Sequence, residues 1–168
     1  LISRVAHMRG ASFRGNELSH IRADLVRKVV PFGEIVEGDA RAITGSYDAI
    51  LADVPCTGLG ALRRRPEVRW RRTQRDLKNL IPLQLEITQR AISNLNPGGL
   101  LGYATCSPHL LETRGIVDSL LRRNSDVEEE FIETEIPHAH LNKSMQLWTH
   151  RHNTDSMFLA LLRKKVNV

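Results

Sequence analysis

The sequence predicts an α/β fold organised as a doubly wound sheet, and three observations predict it. Strand-like apolar runs alternate with amphipathic helical stretches through most of the chain, the pattern of βαβ units. The stretch "YDAILAD" (47–53) is almost continuously apolar, as strands covered on both faces of a parallel sheet are. The length, 168 residues, suits about one domain with a real hydrophobic core.

Taken in order, the opening "LISRVAHM" reads as the middle of a helix and suggests a piece of a longer protein. "ASFRGNE" (11–17) is a short strand. Ser19 is placed to cap a helix over "HIRADLVRKVV", whose Ile21, Leu25 and Val29 recur at helical spacing before Pro31 stops it. A short strand in "GEIVEGDAR" ends at Gly38 and Asp39, and "YDAILAD" follows. Thr73 with Asp76 forms a capping-box pattern opening a long helix to about Leu95, interrupted at Pro82. "NPGG" carries turn chemistry and "LLGYATC" is the next strand. "ETRGIVDSLLRRN" is a helix with Ile116, Val117, Leu120 and Leu121 on one face. "DVEEEFIETE", "MQLWTH" and "SMFLALLRK" read as strands, the last two forming an antiparallel pair.

The formal net charge is +5, the pI is about 9.7, and arginine outnumbers lysine. Guanidinium groups suit forked phosphate contacts and stacking on bases, so RNA is an expected partner; an arginine-rich proteome is the bland alternative. No run reaches the ~20 apolar residues of a membrane-spanning helix, and neither a membrane nor a DNA partner is expected. Two cysteines 50 residues apart, without an extracellular signature, point to a reducing cytoplasm. His138, His140, His150 and His152 lack helical i, i+4 spacing and a nearby cysteine, so no metal site is expected.

In a doubly wound sheet, ligands gather beyond the carboxyl ends of the strands. Glu17, Asp39, Asp53 and Cys106 each fall at or just past such an end, and Cys56 stands on the turn after Asp53. Acids in these places accept hydrogen bonds from ribose hydroxyls or an adenine amine, while others are plain helix caps. A structural cysteine is usually buried inside an element, whereas Cys56 in "PCTG" and Cys106 in "TCSP" are presented on polar turns. A free thiol is only about 3% ionised at pH 7, so such cysteines need nearby positive charge or amide donors. A disulfide between them is the alternative, which a reducing compartment disfavours.

Two thiols, an acid and a nucleotide site suit one demanding reaction. Carbon 5 of cytosine takes a methyl group only after a thiolate adds to carbon 6 and makes carbon 5 nucleophilic. "DVPCTGLG" (53–60) resembles the Asp-Ala-Pro-Cys-Ser-Gly motif of the RNA cytosine-5 methyltransferases of the Sun (Fmu, RsmB) group. "YATCS" (103–107) resembles their Thr-Cys-Ser motif, and "NELSHIRADLV", "GDAR" and "HRHNTDSMFLALLRK" match the remaining segments in order. "RRRPEVRWRRT" is similar to the arginine-rich insert these enzymes carry. The resemblance runs from about Asn16 to Lys164.

The resemblance implies a Rossmann-like sheet that binds S-adenosylmethionine and ends in an antiparallel hairpin. It implies that Cys106 is the nucleophile and that Cys56 assists elimination and release. Asp53 would lie between methyl donor and cytosine, with Glu17 and Asp39 on the ribose and adenine. Arg63, Arg64, Arg65, Arg69, Trp70, Arg71 and Arg72 would contact RNA, ribosomal by analogy; a solvated charged loop is the alternative. The target base would be single-stranded or flipped out. An Asn-Pro-Pro-Tyr motif for methylating exocyclic amines is absent.

Four features depart from the family. Val54 and Thr57 replace alanine and serine, and Asn153 stands where glycine is common, tolerable because asparagine accepts positive φ. The family's first strand and its Pro-Gly-Gly-Lys loop are missing, which makes residues 1–168 an incomplete catalytic domain. Such a sheet must re-pair its strands, borrow one from a partner copy or leave an edge open, and it should bind S-adenosylmethionine weakly or not at all. A non-catalytic RNA-binding module, a transfer RNA methyltransferase and a thiol-redox protein are the rival readings.

Overall fold

Backbone pairing in the computed structural model, which describes residues 2–166, closes two separate sheets. They belong to two units, one ending at Thr44 and the other beginning at Gly45. The first unit holds α1 (Ile2–Met8), β1 (Arg14–Glu17), α2 (His20–Val29) and β2 (Glu34–Glu37). β1 and β2 run parallel, with Glu17 opposite Glu37 and α2 as their crossover. α2 buries Ala23, while Ile21, Leu25 and Val29 are 74%, 57% and 69% exposed. The apolar stripe expected to face the core therefore faces outward. Ala23 lies half a turn from that stripe, and its small side chain lets the helix approach the strands it packs on.

The Ser19 side chain makes no capping bond. Its N–H instead donates to Glu17 Oε1 at 2.9 Å, so the acid that ends β1 ties down the helix start.

The second unit runs β3 (Tyr47–Asp53), α3 (Val68–Arg71), α4 (Gln74–Ser93), β4 (Leu95–Thr105), α5 (Arg114–Arg123), β5 (Val127–Glu130), β6 (His140–Leu141), β7 (Ser144–Gln146), α6 (Thr149–His152) and β8 (Phe158–Lys164). Strand order is β3-β4-β8-β7-β6, with β5 also paired to β8. β3 and β4 are parallel, and every pairing of β8 is antiparallel. The expected pairing of the last two strands is present as Met145 opposite Leu159 and Gln146 opposite Phe158. The core sets Leu101, Tyr103, Phe158, Ala160 and Leu162 of the sheet among Ile116, Val117 and Leu120 of α5 and Ala91 and Ile92 of α4.

Several elements differ from their sequence reading. β3 is covered on one face only: Ala52 is buried, but Ala49, Leu51 and Asp53 are exposed, and among the described residues the strand pairs only with β4. "NPGG" lies inside β4 as an irregularity, with Gly98 at φ +79° and a register shift opposite Tyr47 and Ala49. "DVEEEFIETE" is a strand only over Val127–Glu130, and "WTH" begins the short helix α6. α4 continues through Pro82, which sits on an exposed face where water can serve the carbonyl that loses its N–H partner.

The capping box at the start of α4 is complete, with the Thr73 N–H and hydroxyl donating to Asp76 Oδ2 and the Asp76 N–H donating to Thr73 Oγ1. Thr73→Ala should lower stability by about 1 kcal/mol, read as a shift of the denaturant midpoint at unchanged m-value.

Candidate active site

The parallel register places Asp53 opposite Ala104, so the chain leaves β3 and β4 at the same sheet edge. The turns that follow carry Cys56 and Cys106, whose sulfurs lie 3.3 Å apart as free thiols. Gly58 adopts φ +73°, the left-handed conformation that turns the Cys56 loop back on itself. Gly60 then crosses the second cysteine turn: its N–H donates to the Cys106 carbonyl at 2.9 Å, and its own carbonyl accepts from the Ser156 N–H at 2.9 Å. A Cβ at Gly60 would fall 2.0 Å from the Ser156 oxygen and 2.7 Å from that of Cys106.

Both turns are fastened from below by a buried carboxylate. Glu112 Oε1 accepts from the Thr57 N–H at 2.8 Å and from the Gln84 amide at 3.0 Å. Its Oε2 accepts from the Thr57 hydroxyl at 2.5 Å and from the Ser107 hydroxyl at 2.7 Å. Gln84 also donates to the Pro55 carbonyl at 2.9 Å, and the Tyr103 hydroxyl donates to the Glu112 carbonyl at 2.6 Å. Glu112, Gln84 and Tyr103 were not singled out from the sequence. The signal available was that each cysteine is followed by a hydroxyl residue, Thr57 and Ser107.

The two sulfurs share one labile proton. Cys56 is drawn down to about 6 because the Cys106 S–H, the Thr105 hydroxyl and the Gly58 N–H all favour its thiolate. The Thr105 hydroxyl is fully buried and has no other hydrogen-bond partner among the described residues. Cys106 moves the opposite way, since its proton serves the Cys56 thiolate, its own site is partly buried and the Asp53 charge is near. Asp53 touches solvent, yet enough of its carboxyl is shielded to raise its pKa.

The arginine segment divides in two. Arg63 donates to the Asn153 carbonyl at 2.7 Å and to its side chain at 2.8 Å, and Arg64 pairs with Asp155. Arg72 donates to the Thr57 carbonyl at 2.9 Å and so braces the Cys56 loop. Arg65, Arg69 and Arg71 make no side-chain bond among the described residues, and Arg69 lies over the exposed Trp70 ring at 5.8 Å. Asn153 adopts φ +51°. His152 is engaged by backbone, with Nδ1 accepting from the Trp148 N–H at 2.8 Å and Nε2 facing the Pro137 carbonyl at 2.9 Å.

Glu17 and Asp39 belong to the first unit, at the carboxyl end of its parallel pair. Glu17 Oε1 holds Ser19 and Arg22, the latter at 2.8 Å, and Oε2 has no partner among the described residues. Asp39 accepts from the Arg41 N–H and guanidinium, which hold its pKa at about 2.

A family model for the 16S rRNA methyltransferase RsmB/F matches residues 10–163. The chain belongs to the RsmB/F family of RNA methyltransferases. It is 31% identical over 157 residues to the ribosomal RNA small subunit methyltransferase B of Shewanella oneidensis, covering 90% of this chain and 36% of that one. It is 32% identical over 152 residues to the tRNA (cytosine(72)-C(5))-methyltransferase of Pyrococcus horikoshii, covering 89% and 38%. The crystal structure of NSun6 from Pyrococcus horikoshii with SFG, an S-adenosylmethionine analogue, superposes with a TM-score of 0.80 at 28% identity, covering 94% of this chain and 42% of that one. The chain thus spans little more than a third of the length of these two curated relatives. No helix among the described residues is long and apolar enough to cross a membrane.

Gly60→Ala should cost about 1–3 kcal/mol in chemical denaturation, because backbone rather than a flexible side chain must yield. Iodoacetamide labelling followed by mass spectrometry should show Cys56 reactivity rising through a midpoint of about 6, since only the thiolate reacts. Cys106 should stay slow beyond the ordinary thiol range, and a Cys56 midpoint near 8.5 would contradict the assigned donors.

Proposed function

We propose that the chain carries the thiol centre of an S-adenosylmethionine-dependent RNA cytosine-5 methyltransferase, with Cys106 as nucleophile. The observation that supports it is the pair of sulfurs 3.3 Å apart on turns after two adjacent parallel strands. Cys56 holds the resting thiolate, so Cys106 becomes nucleophilic by passing its proton across that gap. Its sulfur bonds to carbon 6 of cytosine, and the ring's π electrons move to carbon 5. Asp53, whose pKa is raised by shielding from water, supports the attack at ring nitrogen 3. S-adenosylmethionine, when bound, supplies an electrophilic methyl group. The carbon 5 proton then leaves to solvent, its electron pair restores the ring double bond as the carbon–sulfur bond breaks, and Cys56 assists release by returning its proton to the departing Cys106 sulfur.

Glu17 fits a role in holding the ribose, because its Oε2 stands at a strand end without a partner among the described residues. Asp39 would have to exchange Arg41 for the adenine amine. Arg65, Arg69, Arg71 and Trp70 are available for RNA backbone and base contacts. Arg63, Arg64 and Arg72 would act on RNA only by giving up or sharing their internal partners. Small-subunit ribosomal RNA is the favoured substrate, in keeping with the family description, and transfer RNA is the alternative that one relative's name supplies. The setting is cytoplasmic. The chain is part of a larger catalytic domain: the relatives are longer, and the open edge of β3 suits a further strand from the same protein. On that reading residues 1–168 alone are inactive.

RNA carrying 5-fluorocytidine at the target should trap a covalent adduct on the intact protein, because fluorine cannot leave as a proton does. Cys106→Ala should abolish the adduct, and Cys56→Ala should slow its formation on ordinary RNA but let the adduct that forms persist. RNA binding without an adduct would favour a non-catalytic module, and a readily reversible Cys56–Cys106 disulfide alone would favour redox chemistry.

A further inference from the structure

Glu112 is fully buried, and no cation reaches it among the described residues. Desolvating a carboxylate is costly unless its lone pairs are filled, and here four neutral donors fill them. The donors are not random neighbours. Two belong to Thr57, the residue after Cys56, and one to Ser107, the residue after Cys106. The fourth is the Gln84 amide, which also grips Pro55 on the other side of Cys56. A carboxylate accepts from all four, whereas an amide would present N–H to the Thr57 and Ser107 hydroxyls and force both to turn from donor to acceptor.

We propose that Glu112 is a positioning residue that sets the two cysteines against each other for methyl transfer. By holding the residue that follows each cysteine, one side chain fixes both turns and so the 3.3 Å separation of the sulfurs. The catalytic purpose rests on the reading under Proposed function; the positioning itself is a property of the thiol pair. Tyr103 supports the arrangement by fixing the Glu112 backbone carbonyl from inside the core.

The test compares Glu112→Gln and Ser107→Ala with wild type in the protein as its own gene encodes it, below the melting temperature. The first readout is the rate at which diamide joins Cys56 and Cys106, followed by mass spectrometry. The two thiols give up two electrons and two protons to form the S–S bond, and diamide is reduced to its hydrazine. The second readout is adduct formation with 5-fluorocytidine RNA.

Glu112→Gln should slow disulfide formation about tenfold, the factor that loss of one charge-assisted hydrogen bond supplies, and adduct formation by a similar factor at unchanged RNA affinity. Ser107→Ala, which removes one of the four hydrogen bonds to the carboxylate, should slow both by about the same tenfold factor. A contribution to overall stability alone would leave the joining rate of folded protein unchanged. Unchanged disulfide rates in folded variants overturn the proposal, and if Glu112→Gln does not fold, Ser107→Ala decides alone. Failure of wild type to form any adduct overturns methyl transfer, whereas the diamide rates still decide the positioning.

Discussion

The parallel pairing of β3 with β4 is the constraint on which the centre depends. Parallel strands end at the same sheet edge, so two segments 50 residues apart in sequence deliver their following turns to one place. The Val54 N–H extends the ladder to the Ala104 carbonyl at 3.2 Å, one step before the strands part. α4 makes the pairing reachable, since its length carries the chain from the end of β3 back to the start of β4. An antiparallel arrangement of the same strands would put the two cysteine turns at opposite ends.

Delivering two turns to one edge leaves their backbone groups partly buried, and the interior polar network satisfies them. Glu112, Gln84, Thr57, Ser107 and Tyr103 are all buried and linked to one another by hydrogen bonds. Replacing any one by an apolar residue would strand a donor or acceptor away from water, which is why the network is all or nothing. Arg72 and Gly60 complete the fastening from the outer side, one by a guanidinium bond to Thr57 and the other by backbone contact with Cys106 and Ser156. The cysteines are the exception. Both keep partial exposure, while Thr57 and Ser107, which follow them, are buried.

The electrostatics follow from that asymmetry. Two thiols 3.3 Å apart cannot both ionise, and the donors around Cys56 decide which one does. Asp53 reinforces the choice by disfavouring a second negative charge on Cys106. The arginines expected around the centre serve two purposes, bracing loops through Arg63, Arg64 and Arg72 and leaving Arg65, Arg69 and Arg71 outward.

By itself the sequence determined the alternation of elements, the capping box at Thr73 and Asp76, the buried face of α5 and the two cysteine turns at strand ends. Each of these is set by local chemistry: turn residues, helical periodicity, or a hydroxyl placed to accept from a backbone N–H. The outward face of Ile21, Leu25 and Val29 and the one-sided burial of β3 were decided by the tertiary structure, because amphipathicity records that a face is apolar but not what covers it. Glu112 was equally hidden. A glutamate at the start of a helix looks like a solvent-facing residue until two loops far apart in sequence close over it, and only the fold brings Thr57, Gln84 and Ser107 within reach of its carboxylate.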